Sequence, residues 1–174
     1  MRPTSILLSA AVALGSSLLA VGPAAKGAEG APCTAEVDLS LAPGLSNSPS
    51  SGTWTTNGET GTISCTGTVN GNKITGPGTI GGEGRYGTRD PDTCGGGGEA
   101  EGPHFISIPT SSGTEHIRND HVATYGPLEG DGVVGGEFHG PRFSGTFEAR
   151  PVDGDCVSAP ITKVHFIIKG TLKG

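Results

Sequence analysis

Beyond residue 25 this chain has no stretch in which apolar residues recur at the three-, four- and seven-residue spacing of a helix without a Gly or Pro breaking the pattern. Where apolar residues do recur, they do so at every second position. From Cys33 to Leu41, Ala35, Val37, Leu39 and Leu41 alternate with Thr34, Glu36, Asp38 and Ser40. A period of two places one set of side chains on a core face and the other in water, so the segment reads as a half-buried strand. From Gly61 to Val69 the same alternation sets Ile63, Cys65 and Val69 against Thr62, Ser64, Thr66 and Thr68. Asn70-Gly71 follows, and an Asn-Gly pair between strand-like runs signals a tight hairpin, because both turn residues need positive φ.

The return arm, Lys73 to Ile80, carries Gly76, Pro77 and Gly78, so it is expected to bend, bulge or lie at an edge. Pro43 to Gly52 reads as a loop, and a short strand is expected around Trp54. Gly81 to Gly102 is mostly glycine and acids and reads as a long loop. Strand patterns resume at 104–108, 114–122, 132–139 and 142–149, and the last segment sets Val164, Phe166, Ile168 and Leu172 on one face. About eight strands separated by turns predict an all-β fold, a small antiparallel β-barrel or else a β-sandwich. Gly67, Gly76, Gly145 and Gly170 fall at positions expected to face inward. Glycines there let strands coil sharply, which favours the barrel.

Ahead of these strands lies a leader. Arg2 is its one charge, an apolar run extends from Ile6 to Val21, and small residues occupy Pro23 to Ala28. That order is the layout of a secretory signal peptide. Cleavage after Ala25 leaves 174 − 25 = 149 residues, and cleavage after Ala28 is the alternative. The expected organisation is a leader over 1–25, a flexible segment over 26–32 and one all-β domain over 33–174. The apolar run is broken by serines and is short for a bilayer, and no later segment could span one, so no membrane insertion is expected after cleavage.

Cys33, Cys65, Cys94 and Cys156 all follow the leader. Four cysteines in an exported chain read as two disulfides. A zinc knuckle would need a C-x-x-C pair, and none occurs. Three pairings satisfy the count; Cys33–Cys65 and Cys94–Cys156 are favoured, since the first joins two early strands and the second joins two loops. Stapling matters here because 33% of residues are hydrophobic while the chain holds 32 Gly and 13 Pro, so the core is lean.

A net charge of −6 with scattered acids provides no basic stripe for nucleic acid or an anionic membrane. Gly82-Glu83-Gly84-Arg85-Tyr86-Gly87 matches a dinucleotide-binding spacing. It opens no helix, and Glu83 would repel the phosphate, so no cofactor is expected. Asp90, Asp92, Glu99 and Glu101 cluster around Cys94 and are weak calcium candidates, without EF-hand spacing. The five histidines, His104, His116, His121, His139 and His165, lack the i, i+2 spacing that aims two imidazoles at one metal from one strand. Exposed polar positions are their default. Glu137 and Glu148 are placed to lie on neighbouring strands, the one arrangement here that could serve carboxylate-dependent hydrolysis. Aromatics make up only 5%, and Trp54, Tyr86 and Tyr125 are the candidate binding residues.

The leader, the Gly-rich body, the run from Gly61 to Gly67 (Gly-Thr-Ile-Ser-Cys-Thr-Gly) and the later Gly154-Asp155-Cys156-Val157 with Pro160 resemble small secreted all-β proteins of high-GC Gram-positive bacteria. The resemblance implies export and a barrel or sandwich, and it brings no catalytic residues. The chain therefore reads as a secreted, disulfide-stabilised, non-enzymatic barrel binding a small ligand or a partner through its loops. The alternatives are a secreted hydrolase using carboxylates and an envelope-associated structural protein.

Overall fold

The computed structural model describes residues 30–128 and 132–174. The leader, its cleavage zone and Asp131 lie outside the described residues. Eleven strands follow in chain order: β1 (Ala31–Leu45), β2 (Gly52–Thr55), β3 (Gly61–Cys65), β4 (Thr68–Val69), β5 (Asn72–Lys73), β6 (Gly78–Tyr86), β7 (Gly98–Thr110), β8 (Gly113–Tyr125), β9 (Val134–His139), β10 (Phe143–Pro151) and β11 (Ile161–Leu172). All pairings are antiparallel. The sheet order β11-β10-β9-β8-β7-β6-β2-β1 closes through a further β1–β11 pairing into a ring of eight strands. That is the barrel rather than the sandwich. β2 and β3 share one position in the ring, end to end, each bridging β1 and β6. β1 begins at Ala31, which is wholly buried, two residues ahead of the strand start expected at Cys33.

The 61–80 hairpin forms in one register, Ile63 opposite Gly78 and Thr68 opposite Lys73, around a turn with Asn70 at φ 49° and Gly71 at 78°. It is interrupted on both arms. Gly67 and Gly76 fall in these interruptions, not on an inward strand face, so two of the four inward glycines are corrected. Gly145 and Gly170 do pair opposite one another on the inner face, and the Phe143 ring lies where a Cβ of Gly170 would sit.

The long loop expected over 81–102 is the larger correction. Half of it is strand: β6 runs to Tyr86 and β7 begins at Gly98, leaving 87–97 as the loop between them. Gly82 and Gly84 face the interior of β6, and the Trp54 indole lies on them. A Cβ on Gly84 would stand 2.6 Å from the indole nitrogen and 2.0 Å from the Glu101 carbonyl oxygen. Trp54 Nε1 donates to that same carbonyl at 3.3 Å.

The interior is filled at one end only. Ile63, Ile106, Ile108, Phe143 and Leu172 are at most 1% exposed there. Asn119, also at 0% exposure, ties the β9–β10 turn to this end: its Oδ1 accepts from the amides of Arg142 and Phe143, and its Nδ2 donates to the Phe143 carbonyl. Cys33 and Cys65 stand directly opposite in the β1–β3 register and are bonded. Cys94 and Cys156 are bonded at the other end, joining loops 87–97 and 152–160. Both favoured pairings are therefore present, and no cysteine is free.

Candidate functional site

At the end away from Asn119 the ring is hollow. A cavity of about 120 Å³ is bounded by Val37, Leu39 and Leu41 of β1, by Trp54, by Ala123 and Tyr125 of β8, and by Phe138, Phe147 and Phe166 of the last three strands. Eight-stranded rings are just wide enough to be filled by side chains or to hold one small ligand. Small residues decide which happens here: Ala100, Ala123 and Ala149 line the wall where larger side chains would close it. Leu39, Leu41, Leu45, Val134 and Phe166 are only partly buried and pack on the core from this end. Loops 46–51, 87–97 and 152–160 surround the mouth.

The three aromatic candidates converge on this cavity. Trp54 lies on the β6 glycines. The Tyr86 hydroxyl donates to the Pro43 carbonyl. The Tyr125 hydroxyl donates to Asp92; burial, chiefly, and this carboxylate push its pKa up.

The acidic cluster around Cys94 does not assemble. Asp92 is 2% exposed, and its carboxylate also accepts from the amides of Gly87 and Glu99. It pins loop 87–97 to the barrel wall. Asp90 and Glu101 are exposed, and Glu99 pairs with Arg89 at 3.2 Å. No group of three His, Cys, Asp or Glu side chains placed to hold a metal occurs among the described residues. Glu137 and Glu148 lie on neighbouring strands as expected. Both are on the outer, exposed face, beside His139 and Arg150 respectively, each at 3.6 Å.

Two histidines depart from the exposed default. His116, His139 and His165 do lie outside the barrel. His104 and His121 line the cavity instead, stacked with ring centroids 3.8 Å apart and planes 14° from parallel. In the β7–β8 register His104 faces Asn119 and His121 faces Gly102, so the two imidazoles are diagonal neighbours on the inner face. Trp54 flanks them at 6.1 and 5.8 Å, and the Phe138 ring meets both edge-on. Burial pushes His104 well below the ordinary imidazole value, and the nearby His121 pushes it further. Burial lowers His121 to about 4, against the opposing pull of hydrogen bonds at the Asn119 and Gly102 backbone and the charge of Asp120. Both rings are neutral at pH 7. Neither Nδ1 has a partner. Only the register of β7 against β8 brings the pair together, and strand spacing within one strand gave no sign of it.

The fold and cavity define a hollow, disulfide-tied antiparallel barrel. The chain matches no family model, no curated protein and no solved structure.

Proposed function

We propose that the protein is exported, loses its first 25 to 28 residues, and acts without catalysis as a holder of a small apolar ligand inside the barrel. The observation that supports this reading is the cavity. It is apolar, lined by aromatic rings, free of Asp, Glu, Lys and Arg, and approached through loops fixed by a disulfide and by Asp92. Two disulfides fit an oxidising compartment. A carboxylate enzyme would need an acid facing into that cavity, and the lining has none; Asp92 lies behind Tyr125 with its oxygens taken by that residue's hydroxyl and by the Gly87 and Glu99 amides.

A cavity of this order takes one apolar ring. Trp54 is the single tryptophan and lies in the wall, so its emission reports occupancy. Toluene titration should shift Trp54 emission saturably and raise the unfolding temperature, since a ligand that binds only the folded state stabilises it. Ala123→Phe, which fills the cavity, should abolish both responses while leaving the fold intact. No saturable response in the parent protein, or an equal response in the filled variant, overturns the reading. Intact mass of the secreted protein tests the leader: a full-length species in the membrane fraction would show an anchor.

A further inference from the structure

Every polar group lining the cavity already has a protein partner, with one exception. Thr56 Oγ1 donates its one proton to the nearer Gly58 carbonyl and accepts from the Gly82 amide. The hydroxyls of Tyr86 and Tyr125 and the indole N–H of Trp54 are likewise committed. The exception is the stacked pair. Among the described residues only three buried side-chain polar atoms lack a hydrogen bond, and two of them are the Nδ1 atoms of His104 and His121. A buried polar atom without a partner is costly enough that a native protein rarely keeps one without a reason.

We propose that the cavity holds an uncharged, ring-sized apolar molecule carrying one hydroxyl, seated hydroxyl-first on His104 and His121. The inference rests on the ligand-holding reading above. The absence of charged side chains from the lining selects an uncharged molecule, because a buried ion would have no counter-charge. The aromatic wall and the cavity size select a single ring. The His121 ring already donates at the Asn119 and Gly102 backbone, which leaves the unpartnered Nδ1 of the neutral ring as the acceptor, and a hydroxyl donates to it where an ether oxygen cannot. Both imidazoles line the cavity with Nδ1 buried and unpartnered, and the broad χ2 torsion of histidine lets a ring turn present that atom.

The test uses cyclohexanol and cyclohexyl methyl ether, which share a ring but differ in the hydroxyl proton. Each is titrated into the full mature protein by Trp54 emission, with imidazole 15N shifts recorded in parallel. The alcohol should bind about tenfold more tightly than the ether, the value of one hydrogen bond, and should move the imidazole 15N shifts where the ether does not. His104→Leu and His121→Leu should erase the preference while still binding both. If these variants do not fold, the 15N shifts of the parent decide alone. Equal binding of the two compounds with unmoved imidazole shifts overturns this inference and leaves the ligand-holding reading standing. No binding of alcohol, ether or toluene overturns both.

Discussion

His121 illustrates how a single side chain can make this fold sensitive to acid. Its imidazole is held near 4 inside the barrel but returns to about 6.5 when the chain unfolds. Above pH 6.5 it is neutral in both states and contributes no pH dependence. As pH falls from 6.5 to 4 the unfolded chain takes up a proton the folded one refuses, so stability falls, by on the order of 3 kcal/mol before levelling off. His104 acts in the same direction. Denaturant midpoints should therefore drop between pH 7 and pH 4, and His121→Gln should flatten that slope. A parent protein with equal midpoints at both values would show that the pair is not buried in solution. A second, lower window belongs to loop 152–160. Asp155 accepts from the amides of Val157, Ser158 and Ala159 and from the Ser158 hydroxyl, and these bonds hold its carboxyl at about 2. That contribution is present above pH 4 and is lost as pH falls towards 2, loosening the loop that carries Cys156.

At the scale of the strand, large rings lie against missing side chains. Trp54 rests on Gly82 and Gly84, Phe143 on Gly170, and Phe147 on Gly136. A chain lean in hydrophobic residues thus gains ring contacts by removing side chains from the neighbouring strand. Gly84→Ala should cost about 1–3 kcal/mol, because the added methyl meets the Glu101 carbonyl and the indole, and should shift Trp54 emission to the red. Gly135→Ala, on β9 with open space around it, should change stability by less than about 0.5 kcal/mol. Gly71→Val also meets open space, but φ at 78° strains a β-branched residue, at about 1–3 kcal/mol. If Gly84→Ala proved as harmless as Gly135→Ala in denaturant melts, the seating of Trp54 would be wrong. Strands were legible wherever apolar and Thr/Ser residues alternate, as at Cys33–Leu41 and Gly61–Val69, and the Asn70-Gly71 turn was legible from its dipeptide. Gly81 to Gly102 was not, because glycine has no side chain to carry a period of two. Its strand character comes from what lies on it. The His104–His121 pair was hidden for another reason: its partners are set by inter-strand register, which a pattern within one strand cannot encode. Trp54, Tyr86 and Tyr125 line one cavity because scarce aromatics in a lean core have few places to go.

For the whole molecule, the two disulfides divide the work by end. Cys33–Cys65 ties strands at the filled end, and Cys94–Cys156 ties loops at the mouth. They span 32 and 62 residues, so replacing either pair by Ser should lower stability by roughly 3–4.5 kcal/mol on chain-entropy grounds. Only the Cys94→Ser/Cys156→Ser variant should also speed hydrogen exchange in loop 87–97. Faster exchange in that loop on losing Cys33–Cys65 instead would reverse the assignment. The closing pair of the ring, β1 with β11, joins the first and last strands of the described chain over the continuous register Ala31–Leu172 to Ser40–Lys163. A growing polypeptide therefore carries two raw sheet edges until β11 emerges, and only then do they meet. A chain ending before Ile161 would keep both edges and would pair with its own copies rather than remain single.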